Sequence, residues 1–365
     1  MQYDYGYQYY DEGPDRIRIE SHYIRGRIDL DDATYFRFQY LNDAISGASP
    51  TGALPGSQNQ EFLAPVEDVR TGLLGALGRK FGDHLVELEL SRSSEDDYLS
   101  RGLSLKDVWE LNGKNTTVTV GINYLDDLVL VRGVGELGKH SYDFFGGVSQ
   151  ILDKNTIVSA SLTLGSNQGY LSDPYKAVSY TSSIEIPDGE GGVNIIEIDN
   201  LYPENRPDSR FRQVIQLNAR RYFEKLHGAL DATYRYSHDD FGINSNTFGL
   251  EWRQEIGERF EVTPFIRYYR QSAADFYVDS ADGLFDSPPP DQPAGAPYYS
   301  ADYRLSHFEA LSGGVKLRWK FNETFSAAAT YERYEMSGLG ADYERAPSEA
   351  YVDADMWTFG ITAQF

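Results

Sequence analysis

The segment Leu230-Asp231-Ala232-Thr233-Tyr234-Arg235-Tyr236 places an apolar or aromatic residue at every second position and a polar residue between them. Successive side chains of a β-strand point to opposite faces, so this alternation predicts a strand with one apolar and one polar face. The same period of two recurs at residues 118–124, 158–164, 248–253, 315–321 and 357–365. The chain is therefore predicted to be all-β.

The length of these repeats distinguishes a membrane barrel from a soluble sheet. They run over about 10–15 residues, whereas strands of soluble sheets usually have about 5–6 residues. Such a length crosses a bilayer at a tilt, and the Thr, Ser, Gly, Asn, Asp and Arg of the polar faces suit a wet interior. The sequence contains no run of about 18 apolar residues, the length that a membrane-spanning helix needs. These features predict a transmembrane antiparallel β-barrel.

The connections between the predicted strands alternate in length. Tight turns are predicted near residues 31–32, 82–83, 112–115, 153–155, 225–228, 257–258 and 322–323. Longer loops are predicted at residues 44–66, 127–139, 171–209, 274–301 and 337–352. This alternation is typical of an up-and-down barrel with short periplasmic turns and long extracellular loops. With residues 2–10 as the first strand, the count gives about sixteen strands in one domain, residues 1–365.

Composition agrees with the envelope of a Gram-negative bacterium. The 365 residues include 28 Tyr, 19 Phe and 4 Trp but no cysteine. Aromatic residues concentrate where a membrane meets water, and the lack of cysteine favours a compartment in which stray disulfides are avoided. The net charge of −23 argues against nucleic acid as a partner. We therefore expect the chain to lie in the outer membrane, in contact with lipid and lipopolysaccharide.

Both chain ends bear on this expected location. The start, Met1–Tyr5, lacks the basic and apolar regions of a secretion signal, so we expect that a signal was removed before it. The last residue, Phe365, is the kind of terminal aromatic residue that the barrel assembly machinery reads. Both observations are consistent with export through the periplasm.

Several segments resemble, in order, a family of Gram-negative outer membrane proteins known only as a domain of unknown function. They are residues 43–50 with SGASP, 94–102 (SEDDYLSRG), 115–117, 173–176, 204–210 (ENRPDSR) and 300–306 (SADYRLS). The resemblance covers most of the chain and implies a barrel. Genes of that family often lie beside genes for a small lipoprotein, a thioredoxin-like protein and a flavin-transferring enzyme. It thus implies a lipoprotein or redox-protein partner and a role in envelope redox chemistry or extracellular electron transfer.

Most of these segments fall in the long loops or at the extracellular ends of strands. The charged residues in them are predicted to form an extracellular cap or docking surface: Glu95, Asp96, Asp97, Glu204, Arg206, Asp208, Arg210, Asp302 and Arg304. Two interpretations stay open. The charges form salt bridges that hold the loops together over the mouth, or they form a docking surface or ligand site.

A second set of charged residues is predicted to line the lumen. The alternation points inward Arg37, Glu87, Glu89, Arg220, Asp231, Arg235, Glu251, Arg253, Arg267, Lys316, Arg318, Lys320 and Glu332. These residues form either a network of salt bridges that stiffens the wall or a field that selects solutes in a water-filled pore. We therefore expect a pore, or a scaffold or sleeve for an envelope partner.

Signals for metals and catalysis are weak. We expect no cofactor, except that acidic loops near Asp188 and Glu190, or at Glu95–Asp97, could hold Ca²⁺ through their carboxylates. The six histidines show no metal-ligand spacing. His238-Asp239-Asp240 resembles the Asp/His chemistry of outer membrane proteases. An enzyme of protease or lipase type at the extracellular mouth is therefore the alternative to a non-enzymatic barrel.

Overall fold

The computed structural model describes residues 1–57, 60–188, 192–282 and 297–365. The strands within these residues are β1 (Gln2–Asp11), β2 (Arg18–Asp29), β3 (Thr34–Pro50), β4 (Leu63–Phe81), β5 (His84–Ser94), β6 (Tyr98–Leu111), β7 (Thr116–Val131), β8 (Gly135–Asp153), β9 (Thr156–Gly169), β10 (Ala177–Pro187), β11 (Val193–Pro203), β12 (Ser209–Phe223), β13 (Gly228–Asp239), β14 (Asn244–Ile256), β15 (Phe260–Gln271), β16 (Phe308–Lys320), β17 (Phe325–Gly338) and β18 (Asp353–Gln364). Short 3-10 helices span Asn112–Lys114, Glu224–Leu226, Tyr303–Leu305, Asp342–Glu344 and Ser348–Ala350. In this part of the chain, no helix is long and apolar enough to cross a membrane.

Sixteen of the strands close into one antiparallel barrel. Neighbouring strands in the barrel are neighbours in sequence, except that β9 pairs with β12 and β1 pairs with β18 to close the cylinder. The strands β10 and β11 form a separate two-stranded sheet within the connection from β9 to β12. The predicted up-and-down barrel of about sixteen strands is therefore confirmed.

The two ends of the barrel differ in the length of their connections. At one end, which we call the short-turn end, the connections are residues 30–33, 82–83, 112–115, 154–155, 224–227, 257–259 and 321–324. These are the predicted tight turns. The opposite end, which we call the long-loop end, carries the connections from β3 to β4, β9 to β12, β15 to β16 and β17 to β18.

The long loop predicted at residues 127–139 is wrong. Strand β7 continues to Val131 and β8 begins at Gly135, so only residues 132–134 connect them. The ladder extends this far because side chains also pair across the two strands. The ammonium of Lys139 lies 3.4 Å from a carboxylate oxygen of Asp127, which is buried.

The two faces of the barrel wall differ in polarity and in exposure. One face carries large apolar side chains that are about half exposed, such as Ile122 and Leu250. The other face carries polar side chains, and several of these, such as Asp43 and Ser312, are buried. Only an inner face can be covered in this way, so the polar face lines the lumen and the apolar face is the outer surface.

Aromatic side chains border the apolar outer surface at both ends. At the short-turn end they are Phe81, Trp109, Phe223, Phe260, Trp319, Phe321, Phe325 and Phe365. Toward the long-loop end they are Tyr9, Tyr124, Tyr142, Tyr234, Tyr268, Tyr331 and Trp357. On β15, Phe260 and Tyr268 are about 27 Å apart along the strand, or roughly 20 Å along the axis at the usual tilt. This spacing is close to the height of the apolar band of membrane barrels, about 25 Å.

Candidate functional site

Loops from separate hairpins contact one another over the long-loop end of the barrel. We call them the cap, which comprises the described residues of 51–62, 170–208, 272–307 and 339–352. The backbone N–H of Ala177 donates to the carbonyl of Thr51 at 2.7 Å, although their loops lie on distant parts of the rim. The hydroxyls of Ser306 and Tyr351 lie 2.9 Å apart and join two further loops. The cap therefore spans the mouth.

Six charged side chains meet inside the cap, and we call them the cap cluster. They are Asp173, Lys176, Glu204, Arg206, Asp302 and Arg304. Three are acidic and three are basic, so the cluster is balanced in charge. Such balance is what burial requires, because an unpaired charge removed from water costs several kcal/mol.

Asp302 is the centre of the cap cluster, and its side chain is fully buried. It lies 2.7 Å from the Arg206 guanidinium and 2.5 Å from that of Arg304. Arg304 also lies 2.5 Å from Asp173, and Arg206 lies 2.7 Å from Glu204. The result is a continuous chain of ion pairs between the loop that follows β9 and the loop that follows β15.

Lys176 ties the cap cluster to the rim of the barrel. Its ammonium donates to the Ser49 hydroxyl at 2.8 Å and to the carbonyl of Pro50, both at the end of β3. The same ammonium lies 5.6 Å from the centre of the Tyr303 ring, within the range of a cation–π contact. Lys176 therefore links loops on opposite sides of the mouth.

Ionisation in the cap follows burial and pairing. Burial raises the pKa of the Asp302 carboxyl, but Arg304 and Arg206 outweigh it, and the pKa lies well below that of an ordinary aspartate. Burial raises the pKa of Glu204 and lowers the pKa of Lys176. Burial also raises the pKa of the Tyr303 phenol to about 12. The two arginines therefore keep Asp302 in its charged form although its side chain is fully buried.

An apolar core accompanies these ion pairs. Val178, Ala281 and Tyr299 are almost completely buried and pack in one cluster. Where the loops after β3, β15 and β17 meet, a void of about 10 Å³ lies inside the cap, and a larger open cavity of about 550 Å³ lies beside it. The cap therefore has a small apolar core of its own, with an open cavity beside it.

The remaining predicted cap residues lie outside the cap cluster. Arg210 pairs with Asp239 at the rim, where its guanidinium also lies over the Phe241 ring. Asp208 is exposed, and its backbone carbonyl accepts from Gly169 at 2.8 Å. Four residues of the cap cluster were therefore among those predicted to form the extracellular cap: Glu204, Arg206, Asp302 and Arg304. Asp173 and Lys176 were noted only as part of a segment that resembles the family.

Glu95, Asp96 and Asp97 form a separate acidic group at the rim. Carboxylate oxygens of Asp68, Glu95 and Asp97 lie within 4.8 Å of one another, which is compatible with a cation. The hydroxyl of Tyr175 donates to Asp97 and connects this group to the cap. The backbone N–H of Asp96 lies 3.2 Å from Asp68.

The other Ca²⁺ candidates lie at the tip of the β10–β11 hairpin. The backbone N–H of Gly192 donates to the Asp188 carboxylate at 2.9 Å, which is an ordinary turn contact. Glu190 lies outside the residues that the structure describes. Binding of Ca²⁺ there stays a prediction.

The residues of the possible protease motif face in different directions. His238 lies on the outer face of β13, and its ring nitrogen Nδ1 lies 3.0 Å from the Asn244 side-chain oxygen. Asp239 lies on the inner face and pairs with Arg210. Asp240 accepts the backbone N–H of Phe211 at 2.9 Å. These side chains do not converge on one point where a water molecule could be activated.

One sector of the lumen wall is a connected ion-pair network. Glu87 is buried, and it lies 3.0 Å from the Arg37 guanidinium and 2.8 Å from the Lys106 ammonium. Arg37 also lies 2.7 Å from Glu89, and the Tyr35 hydroxyl donates to Glu87 at 2.6 Å. Here the charges satisfy one another across β3, β5 and β6.

The sector from β12 to β17 is different. Arg220 pairs with Asp231, and Arg253 lies 3.5 Å from Glu261. Among the described residues, several predicted lumen residues form neither an ion pair nor a side-chain hydrogen bond. They are Arg235, Glu251, Arg267, Lys316, Arg318, Lys320 and Glu332.

Access to the lumen changes along the barrel axis. On β16 the inward residues Phe308, Ala310 and Ser312 are buried beneath the cap, whereas Lys316 and Lys320 near the short-turn end are exposed. Strand β14 shows the same gradient from buried Ser245 to exposed Arg253. On these strands the lumen is therefore covered at the long-loop end and accessible from the short-turn end, whereas near the short-turn end of β3, β4 and β5 the inward residues Tyr35, Ala76 and Glu87 are buried.

Solved barrel structures share this fold. A bacterial polysaccharide outer membrane secretin has a TM-score of 0.53 and 11% identity, over 100% of this chain and 98% of its own. CdiB from Acinetobacter baumannii has a TM-score of 0.54 and 7% identity, over 99% of this chain and 60% of its own. At these identities the likeness is one of fold, that of outer membrane barrels.

Sequence comparison gives the family. A search of curated proteins finds no match. The family described as "Protein of unknown function (DUF3570)" matches residues 1–144 and 132–349. These two matches cover most of the barrel and its cap, in agreement with the resemblance found in the sequence. The chain therefore belongs to this family of proteins of unknown function.

Proposed function

We propose that the protein is an integral barrel of the Gram-negative outer membrane and acts as a gated pore, with the cap on the extracellular side. One observation carries the proposal. On strands such as β16, the charged lumen is covered at the long-loop end and accessible at the short-turn end, and the outer surface of the barrel is apolar. Membrane location, orientation and gating each rest on a separate feature.

The outer surface supports a membrane location. Side chains such as Leu90, Ile122 and Ile266 expose half or more of their area, and they lie all around the barrel between the two aromatic borders. A continuous apolar surface of this extent would associate in water, whereas lipid covers it without cost.

The unequal ends support the orientation. In bacterial outer membrane barrels, short turns face the periplasm and long loops face outward. Beyond the aromatic border near the long-loop end, the outer face of β17 and β18 becomes charged. The Arg333 guanidinium there lies 3.2 Å from carboxylate oxygens of both Glu335 and Asp355. Charged groups at this level suit contact with the polar region of lipopolysaccharide.

The cap supports gating. Its ion pairs join loops that the barrel wall does not otherwise hold together, and the inward residues below it are buried. A solute that enters from the short-turn end therefore meets the cap, and it can leave only when the cap moves. Loops that close over a rigid scaffold are a common means of such control.

A sleeve for an envelope partner is the second candidate. The exposed cations Lys316, Arg318 and Lys320 line the lumen at its accessible end, and among the described residues they have no carboxylate partner. An acidic segment of a lipoprotein or redox protein would be attracted to this wall from the periplasm. In this role the cap would stay closed.

Single-channel conductance in planar bilayers separates these roles. We expect the folded wild-type protein to give brief current steps, and Asp302→Ala to give longer and more frequent ones because its cap is loosened. A silent wild type with a conducting Asp302→Ala would indicate a hollow, permanently capped sleeve. Silence from both folded proteins would show that the lumen is blocked and would reject the pore.

A further inference from the structure

We propose that the lumen contains a binding site for a small zwitterionic solute of about dipeptide length, which deepens the proposed pore function and rests on it. The site lies between two arginines, Arg235 and Arg267, and two carboxylates, Glu251 and Glu332. All four side chains line one cavity of about 420 Å³ on the lumen wall. This volume is within the usual range of small-molecule sites, about 300–1,000 Å³.

The four charges are unpaired within the described residues, although other lumen charges are paired. Arg220, for example, uses the Asp231 carboxylate that borders the same cavity. Neither Arg235 nor Arg267 has an ion pair or a side-chain hydrogen bond, and the same is true of Glu251. Charged groups that the protein itself leaves without partners are available to a ligand.

The register of the strands separates the two signs of charge. Glu251 on β14 lies opposite Phe265 on β15, which lies opposite Gly314 on β16, and Gly314 lies opposite Glu332 on β17. The two carboxylates therefore lie on one row of paired residues that runs across the strands. Arg267 lies two residues nearer the cap than Phe265 on β15, and Arg235, which is level with Tyr269, lies four residues nearer the cap. Two residues of strand are about 7 Å. The cavity is thus positive toward the cap and negative toward the short-turn end.

The space between the arginines is open. Gly249 lies on β14 between β13, which carries Arg235, and β15, which carries Arg267. A side-chain carbon at Gly249 would meet only Thr233, at 3.9 Å. The glycine therefore leaves room at this point for a carboxylate that accepts from both guanidiniums.

This arrangement matches a solute with a carboxylate at one end and an ammonium at the other. The charges of an extended dipeptide are separated by about 7 Å, which is the distance along the strands from the row of Glu251 and Glu332 to the level of Arg267, and Arg235 lines the same cavity from two residues nearer the cap. Its carboxylate would accept charge-assisted hydrogen bonds from Arg235 and Arg267, and its ammonium would donate to Glu251 and Glu332. The accessible short-turn end provides the path of entry.

Isothermal titration of the detergent-solubilised, folded barrel tests the site. The probes are the dipeptide Ala-Ala, its N-acetyl derivative, which lacks the ammonium, and its amide, which lacks the carboxylate. We expect Ala-Ala to bind at least about tenfold more tightly than either blocked peptide, because each loses charge-assisted hydrogen bonds. Equal affinity for the three probes, or no heat up to the solubility limit of Ala-Ala, would overturn the proposal.

Variants assign the two halves of the site. Glu332→Gln should reduce the preference for Ala-Ala over its acetylated form, and Arg267→Gln should reduce the preference over its amide, because Glu251 and Arg235 remain. Gly249→Leu should remove binding of all three by filling the cavity without changing its charge. Lys320→Gln is the matched control and should change nothing. Losses as large in Lys320→Gln as in Arg267→Gln would contradict a specific site.

The outcomes also distinguish the site from the pore. Binding by a barrel that never conducts would reject the pore and retain the site. A conducting barrel that binds none of the probes would retain the pore and reject the site. Heat-modifiable migration in electrophoresis establishes that each variant is folded.

Discussion

Replacing Asp302 with alanine should destabilise the cap by about 3 kcal/mol, because it removes one of the two carboxylates that pair with the nearly buried Arg206 and one of the two that pair with the half-exposed Arg304. Asp302 is fully buried and pairs with both guanidiniums. The barrel wall should be unaffected, since its strands are held by a separate ladder of hydrogen bonds. Hydrogen exchange of residues 170–176 and 297–306 should accelerate by about a hundredfold or more.

Asp342→Ala is the matched control for this prediction. Asp342 lies in the same cap and pairs with Arg345 at 2.6 Å, but 88% of its side chain is exposed. Exposed pairs contribute about 1 kcal/mol or less, so exchange in the cap should hardly change. If the two variants exchanged equally fast, the cap cluster would not be what holds the loops together.

Leu217→Arg should destabilise the barrel in lipid vesicles by about 2–4 kcal/mol, the cost of a cation on the lipid face near the middle of the bilayer. Leu217 is 49% exposed on the outer face of β12, and its neighbour across the sheet is Ala160 on β9. Denaturant unfolding from vesicles, followed by the loss of heat-modifiable migration, measures this cost.

Ser161→Arg is the control for the lipid face. Ser161 follows Ala160 on β9, so it lies at nearly the same depth but lines a cavity of about 370 Å³ in the lumen. A cation there stays in water, and we expect a change within about 1 kcal/mol. A large loss in Ser161→Arg together with a neutral Leu217→Arg would mean that the outer face is not in lipid.

The fold could be predicted because membrane strands obey one rule along their length. Each strand must place apolar side chains outside and polar side chains inside, so a period of two persists in segments such as 230–236 and 158–164. The rule fails where the wall leaves the membrane. Near Asp127 and Lys139 the strands stay paired, but the outer face of β8 there carries Glu136, Gly138 and His140 in place of apolar residues, and a loop was predicted where the strands extend.

The cap could be predicted only in part. Its charged residues stand out in the sequence, but nothing in a loop sequence says which charges meet. Glu204 and Asp302 share Arg206 although about a hundred residues separate them. Lys176 gave no signal of its own, because a buried lysine that binds Ser49 looks like any loop lysine until the loops are folded together.

The lumen charges illustrate a further limit. The alternation of apolar and polar residues predicts which side chains lie on the inner face. It does not say whether an oppositely charged side chain lies beside each of them. Glu87 is held by two cations and a phenol, whereas Glu332, on an equally regular strand, has no partner among the described residues. The difference depends on the register between strands, which the sequence of one strand does not contain.

The most direct measurement of membrane placement is labelling of single cysteines in whole cells with a membrane-impermeant maleimide. The chain has no cysteine, so Ser348→Cys in the cap and Glu258→Cys in a short turn each provide one reactive site. We expect Ser348→Cys to react in intact cells, and Glu258→Cys to react only after the outer membrane is permeabilised. Reaction of Glu258→Cys in intact cells with protection of Ser348→Cys would place the cap in the periplasm and contradict the proposed orientation.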